Sequence, residues 1–205
     1  RCNMEEQTRT NLVELCGTAE TNAVFSHESR GERFYRFPLT IHRLSGTADT
    51  LNVIVREHLL SSAAIIPGQR LQVSGELRSF NNKHSEGSKL VITVFAHSLL
   101  PADGADTNSV ALRGTLCKLP NLRTTPMGRE ICDFMLAVNR HYGRSDYLPC
   151  IAWGIKAKET AQWPVGTVVS LTGRVQSRQY VKVIEGAAVE KTAFEVSVVE
   201  IHRVD

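Results

Sequence analysis

Aromatic and cationic residues are interleaved in the second half of the sequence, between Arg123 and Tyr180. Over Tyr147–Trp153 and Val168–Tyr180 they alternate with apolar residues, a spacing at which successive side chains of a β-strand point to opposite faces. Rings exposed on one face of a sheet can stack on unpaired bases, and neighbouring cations can neutralise phosphates. The stretch therefore predicts a sheet surface suited to a single-stranded nucleic acid.

Strand parity assigns the side chains to two faces. The predicted core side of these strands carries Val169, Leu171, Gly173, Val175, Leu148, Cys150 and Ala152. The predicted open side carries Tyr147, Ile151, Trp153, Arg174, Gln176, Arg178, Tyr180 and Lys182. Any one of these rings could instead pack under a loop or against another subunit. Their grouping with cations on one side favours a binding surface.

The composition is that of a globular protein. Hydrophobic residues make up 42% of the 205 residues, and no apolar run reaches the ~18 residues of a membrane span. The polar N-terminal stretch lacks the pattern of a secretory signal, and the cysteine pattern gives a cytoplasm, where thiols stay reduced, as the expected location. The five cysteines form no C-x-x-C pair, which predicts reduced thiols and neither a disulfide framework nor a metal site.

The sequence contains two copies of one segment. Asn11-x-Val13-x-Leu15-x-Gly17 recurs as Asn108-x-Val110-x-Leu112-x-Gly114, at an offset of 97 residues. The offset becomes 98 from the Gly68/Gly166 pair onward. We predict two domains, over residues 9–98 and 108–204, joined by a linker at residues 99–107.

Each copy shows five alternating runs, with a short helical segment between the third and fourth. In the second copy the runs are 110–116, 131–138, 147–153, 168–180 and 194–198, with the helix over 155–163. In the first copy they lie near 11–18, 33–41, 51–55, 70–80 and 90–96, with the helix near 57–64. Hairpin tips are predicted at 81–87 and 184–191. This order predicts an all-β protein made of two tandem five-stranded OB-fold barrels.

The second copy resembles the bacterial single-stranded DNA-binding protein family from Asn108 to Ile201. The shared motifs are N-x-V-x-L-x-G at 108–114, Pro120 with Arg123 and Gly128, F-x-L-A at 134–137, Trp153-Gly154, and Gly173-Arg174 with Arg178 and Tyr180. The resemblance implies binding and protection of single-stranded DNA with no catalytic activity and no cofactor. It also implies that the four stacking positions of the family fall on Tyr142, Tyr147, Trp153 and Tyr180.

Seven cations are candidate phosphate contacts: Arg123, Arg129, Arg140, Lys156, Arg174, Arg178 and Lys182. The family motifs support Arg123 and Arg178 most, whereas Arg129, Arg140 and Lys156 could equally be solvated surface charges. Family proteins often present four barrels per assembly, so two per chain suggests a homodimer. Family members also recruit replication and repair proteins through an acidic C-terminal tail. The sequence ends at Asp205 without one, so such partners remain an open expectation.

The first copy departs from the family pattern. Its equivalents of the stacking positions are Ser45, Thr50, Arg56 and Asn82, none of which is aromatic. Phe34, Tyr35 and Phe80 are the rings left near its open face. Cations and acids balance at eleven each through Ala105, while the remaining residues carry thirteen cations against ten acids. We therefore predict much weaker binding by the first copy.

Two other function classes compete with nucleic-acid binding. The sequence has no G-x-x-x-x-G-K-[ST], G-x-S-x-G or H-E-x-x-H motif, and its seven histidines are scattered, which argues against an enzyme. A protein-interaction scaffold, or a primosomal relative that binds DNA and protein, is the stronger competitor. A steep loss of oligonucleotide affinity with salt would distinguish a DNA binder from a scaffold.

Overall fold

The computed structural model describes residues 10–82 and 89–204, in two units. The first comprises the chain up to Ser79 together with Ile92–Arg113, and the second comprises Phe80–Val91 together with the chain from Gly114 onward. Of the linker predicted at 99–107, only residues 102–106 lie outside the flanking strands. Most of the hairpin tip predicted at 81–87 lies outside the described residues.

In its described residues, the first copy contains six strands and one short helix. The strands are β1 (Asn11–Ala19), β2 (Val24–Ser29), β3 (Glu32–His42), β4 (Ala48–Arg56), β5 (Arg70–Asn82) and β6 (Lys89–Pro101). A 3-10 helix at Glu57–Ser61 follows β4, where the sequence predicted a longer helical segment.

The second copy repeats this order of elements. Its strands are β7 (Thr107–Leu116), β8 (Asn121–Thr124), β9 (Glu130–Asn139), β10 (Ser145–Trp153), β11 (Val168–Ile184) and β12 (Ala187–Arg203). Helix α1 (Ile155–Ala161) lies between β10 and β11, as predicted. The all-β tandem OB-fold class is confirmed. The short strands β2 and β8 are additions, and both are almost entirely exposed, so no apolar alternation marks them in the sequence.

Strand pairing shows how each copy is built. In the first copy, β1 pairs with β3 and β5, β3 pairs with β4, β4 pairs in parallel with β6, and β6 lies beside β5. These pairings join the five predicted strands into a ring. The second copy repeats the pattern, with β7–β9, β9–β10 and β11–β12 antiparallel and β10–β12 parallel.

Equivalent apolar residues form the core of each copy. In the first copy the fully buried side chains include Val13, Leu15, Phe37, Leu39, Val53, Leu71 and Val73. In the second copy the buried set includes Val110, Leu112, Phe134, Leu136, Cys150, Val169 and Leu171. All seven members of one set are related to those of the other by the sequence offset, so the repeat preserves the inward face of each strand.

The predicted core side of β10 and β11 is confirmed, since Leu148, Cys150 and Val175 are buried. Ile151 was predicted on the open side, and this was wrong: its side chain is only 3% exposed. Ile151 lies between Asp133 of β9 and Ser197 of β12, so neighbours flank it on both sides. Strand parity alone does not reveal such a central position.

The hairpin tip predicted at 184–191 is much tighter in the structure. Strand β11 runs to Ile184 and β12 begins at Ala187, so the turn has only two residues between the strands. Both Glu185 (φ 52°) and Gly186 (φ 79°) have positive φ, as a type I′ turn requires. Within residues 10–82 and 89–204, no helix is both long and apolar enough to cross a membrane.

Candidate nucleic-acid interface

Trp153 is the last residue of β10, and its position is fixed from two sides. Gly154 has φ 62°, a conformation that favours glycine, and it turns the chain from the strand into α1. The Gly154 N–H donates to the Glu130 carbonyl at 2.9 Å. The indole Nε1 lies 3.4 Å from the hydroxyl of Ser197 on β12. These contacts hold the half-buried ring at the end of the strand, where one face meets a cation.

That cation is Arg129, whose guanidinium carbon lies 4.6 Å from the centre of the Trp153 ring. Arg129 stands where the turn before β9 ends. The Thr125 and Gly128 N–H groups donate to Arg129 and Thr125 carbonyls, both at 2.8 Å. The Arg129 N–H donates in turn to the Thr125 hydroxyl at 3.0 Å. The turn thus places the guanidinium over the indole, a contact that the sequence did not predict.

The three tyrosines differ in exposure. Tyr142 lies between β9 and β10 and is 95% exposed, and Tyr147 on β10 is 47% exposed. Tyr180 on β11 is half-buried and lies across from Lys191 on β12. None of the four predicted stacking residues is sealed in the core, so all four rings keep surface that a base could contact.

Three predicted phosphate contacts are partly exposed cations that have acidic partners. Arg123 donates to Asp133 on β9, and this hydrogen bond raises the pKa of the arginine. Lys156 of α1 lies 2.6 Å from Glu200, and Arg178 lies 3.6 Å from Glu195. All three cations are at least one-third exposed, so these pairs meet water and can be exchanged for a phosphate.

Arg140 is placed differently. Its guanidinium makes two hydrogen bonds with Asp146, at 2.8 and 2.6 Å, and the Asp146 side chain is 1% exposed. The first copy has the same arrangement, with Arg43 donating to the fully buried Asp49 at 2.8 and 2.7 Å. Because the pair also occurs in the copy that lacks the rings, its geometry fits a structural role. The recurrence of Arg and Asp in both copies is the sequence signal for this role.

Arg174 and Lys182 are exposed on β11, at alternate positions of the strand that also carries Tyr180. Arg178 lies between them on the same side, as strand parity predicts. The structure therefore brings three predicted cations and one predicted ring onto one face of β11.

The first copy carries a ring that sequence reasoning missed. Phe95 of β6 is only 5% exposed because two guanidinium groups cover it, with Arg78 at 3.8 Å and Arg56 at 4.9 Å from its centre. Arg56 donates to Glu32 at 2.9 Å, and Arg78 donates to Glu76 at 2.8 Å. Each cation is therefore held by a carboxylate of its own.

Glu76 is the most strongly perturbed acid of this cluster. Burial alone would raise its pKa, but hydrogen bonds from His97 and Arg78 outweigh that effect and lower the pKa to about 2. The carboxylate is therefore ionised at neutral pH and neutralises the arginine that covers Phe95.

The other rings of the first copy also pack within the fold. Phe34 is 9% exposed and stacks on His27, with 4.6 Å between the ring centres. Tyr35 is half-buried and meets Phe25 edge-on at 5.9 Å. Phe80, at 52% exposure, keeps more open surface than either of the other rings expected near this face.

Two buried cysteines of the second copy hold unreactive thiols. Burial raises the pKa of Cys132 to about 11 and also raises the pKa of the fully enclosed Cys150. Both groups are therefore thiols rather than thiolates at neutral pH. Within the described part of the chain, no three His, Cys, Asp or Glu side chains are grouped so as to hold a metal ion.

Comparison with known families finds one that matches. The profile described as "Single-strand binding protein family" matches residues 107–204. Single-stranded DNA-binding protein 3 of Streptococcus agalactiae is 35% identical over 80 residues, which cover 36% of this chain and 58% of that protein. The single-stranded DNA-binding protein of Enterococcus faecalis is 36% identical over the same length, 43% of that protein. The chain thus spans about half the length of these relatives.

The likeness to solved structures extends over nearly the whole chain. The wild-type single-stranded DNA binding protein from Thermus aquaticus superposes with a TM-score of 0.77 at 22% identity, covering 95% of this chain and 93% of that chain. The likeness extends over both copies and supports the fold described above.

Proposed function

Because residues 107–204 match the profile of the single-strand binding protein family, we propose that the second copy binds single-stranded DNA on its open face. The observation that carries the proposal is that Tyr142, Tyr147, Trp153 and Tyr180 all lie outside the core. Base stacking on such rings is worth about 1–3 kcal/mol per base and tolerates any sequence. The chain acts by binding and protecting the strand, with no catalytic step.

The seven candidate phosphate contacts divide into three groups according to their surroundings. Arg129, Arg174 and Lys182 are exposed and are the first candidates for contact with a phosphate. Arg123, Lys156 and Arg178 exchange an acidic partner for a phosphate. Arg140 belongs to the scaffold instead, because moving it would leave the buried Asp146 carboxylate without its guanidinium.

The scaffold and primosomal alternatives are not favoured, since the relatives found are named single-stranded DNA-binding proteins. We also propose that two chains associate as a homodimer that presents four OB-folds, as the family resemblance implies. Such a protein would serve replication, repair or recombination in the cytoplasm, and enzymes of those processes are its expected protein partners. Sedimentation of the full chain tests the assembly, and a mass of one or four chains would contradict it.

The binding proposal is tested with matched double variants of the full chain. Trp153→Ala with Tyr180→Ala should weaken oligothymidylate binding by at least about 2 kcal/mol, since two stacking sites are lost. The control is Arg56→Ala with Asn82→Ala, which changes the equivalent positions of the first copy. The control should leave affinity nearly unchanged.

Circular dichroism would establish that both variants remain folded, and titrations at two salt concentrations would measure the electrostatic part of binding. Equal affinities for the unsubstituted protein and the folded second-copy variant would place the strand elsewhere. No oligonucleotide binding at any salt concentration would favour the scaffold alternative.

A further inference from the structure

Arg129 and Trp153 form a contact that the proposed function does not by itself explain. The guanidinium lies over the indole at 4.6 Å, on ring surface that a stacking base would need. Trp153 is tied at Nε1 to Ser197 and at its backbone to β9, so the ring itself has little freedom to turn away. A base that stacks on this face must therefore move the arginine.

The arginine is well placed to move. Its backbone is anchored by the turn at Thr125, while its side chain is exposed. Its sequence neighbour Glu130 lies 3.5 Å from Lys158, so that carboxylate already faces another cation. The long side chain can thus leave the ring while the backbone stays in place.

The relative strengths of the two contacts favour the exchange. A cation over an indole at an exposed site is held more weakly than a base stacked on an aromatic ring. The displaced guanidinium gains a phosphate of the incoming strand, which forms a charge-assisted hydrogen bond. The base stacks on the indole and the phosphate binds the guanidinium. The indole and the guanidinium each then have a stronger partner than in the free protein.

We propose that Arg129 is an exchangeable cover for Trp153, resting on the indole in the free protein and transferring to a DNA phosphate when a base stacks. The transfer step rests on the function proposed above. The cover itself concerns the free protein and can be measured without DNA. Arg129 would thereby make stacking at Trp153 dependent on salt, which stacking alone is not.

The first test measures the cover. The chain has two tryptophans, so Trp163→Phe leaves Trp153 as the one indole, which is excited selectively over the four tyrosines at the red edge of the absorption band. In this background, Arg129→Ala and Arg129→Lys should both increase acrylamide quenching of the free protein, because neither replacement offers a planar group to the ring. Lys158→Ala removes an exposed cation of the same unit and should leave quenching unchanged. Equal quenching in the parent and Arg129→Ala would overturn the cover.

The second test measures the transfer by titrating oligothymidylate from 50 to 200 mM salt. Arg129→Ala should lower the slope of log affinity against log salt by about 0.7, the value for one phosphate contact on a single strand. Its affinity relative to the parent should therefore rise about threefold over that range. Arg129→Lys, which keeps the charge, should retain the slope.

The remaining outcomes are distinct. A loss of affinity by the same factor at every salt concentration would mean that Arg129 sandwiches the base and is not displaced. Tighter binding at every salt concentration with an unchanged slope would mean that Arg129 covers the indole but does not transfer to a phosphate. Either result overturns the proposal. If the parent itself binds no oligonucleotide, the proposed function fails and the transfer with it, while the quenching result still decides the cover.

Discussion

The two copies use one pair of equivalent positions in opposite ways. In the second copy, Arg129 is the residue before β9, and its guanidinium lies over Trp153, the last residue of β10. In the first copy, the offset of 97 places Glu32 and Arg56 at these positions, and they form an ion pair at 2.9 Å. In the first copy, an arginine therefore occupies the position of the tryptophan, and a glutamate occupies the position of Arg129.

The ring has also moved to a different strand. Phe95 pairs with Ile54 in the first copy as Ser197 pairs with Ile151 in the second, so Phe95 stands where Ser197 stands. At the end of β10 a ring remains half-exposed, whereas on β6 it lies between Arg56 and Arg78 and is 5% exposed. The strand that carries the ring thus decides whether the face offers an aromatic surface or a set of neutralised cations.

The largest expected effect tests what the copies share. Arg140→Ala should destabilise the protein by about 3 kcal/mol, because it deprives the buried Asp146 of its paired guanidinium. Arg43→Ala should cost a similar amount through Asp49. Urea unfolding of the full chain measures both losses.

The variant Arg140→Ala also distinguishes a structural role of Arg140 from a phosphate contact. In native conditions, folded Arg140→Ala protein should keep the salt slope of oligothymidylate binding, since no phosphate contact has been removed. A slope lower by about 0.7, without loss of stability, would restore Arg140 to the predicted phosphate contacts.

The next effect is expected when the second copy is given the residues of the first. Arg129→Glu with Trp153→Arg should form an ion pair like that of Glu32 and Arg56 and should remove one stacking site. We expect a loss of about 2 kcal/mol in oligothymidylate affinity, within the range of one stacked base. The single variant Trp153→Phe, with Arg129 unchanged, keeps a ring and should lose less than half as much. Equal losses would mean that the ring is not the decisive element.

Much of this difference was accessible from sequence. The repeat, the alternating strands and the offsets predicted both folds and the four lost ring positions of the first copy. The ring at Phe95 was missed because β6 reads as a nearly continuous apolar run, in which a covered phenylalanine resembles any core residue. Ile151 was misplaced for a related reason: parity gives a side, but burial depends on how many strands flank the residue. The contact of Arg129 with Trp153 depends on a turn and a strand end meeting in space, which no local pattern encodes.

A smaller effect concerns acid stability of the first copy. The pKa of Glu76 is about 2 in the folded protein, below its ordinary value of 4.5. A lowered folded pKa contributes stability that is complete above pH 4.5 and is lost as the pH falls toward 2. We expect this contribution to be about 1.5 kcal/mol, roughly half of the unscreened value, because water still reaches the cluster.

Glu76→Gln should therefore lower stability at pH 7 and flatten its dependence on pH between 4.5 and 2, as followed by urea unfolding at several pH values. The position in the second copy that corresponds to Glu76 is Arg174, so Arg174→Gln is the matched control and should leave the acid dependence unchanged. An unaltered profile for Glu76→Gln would mean that the carboxylate does not hold Arg78 and His97 in solution.

The smallest effect is expected when the first copy is given the residues of the second. Glu32→Arg with Arg56→Trp, made in the Trp153→Ala and Tyr180→Ala background, should recover only about 0.5 kcal/mol of oligothymidylate affinity, less than one stacked base. Phe95 would still occupy the place of Ser197 and pack against the new indole, and Thr50 and Asn82 would still offer no ring. Adding Phe95→Ser should raise the recovery toward 1 kcal/mol, about the lower limit for one base, because the indole would then find a hydroxyl in place of a covering ring. Full recovery of affinity without the change at Phe95 would show that an arginine at position 32 and a tryptophan at position 56 suffice for binding. The ring at Phe95 would then have no effect on it.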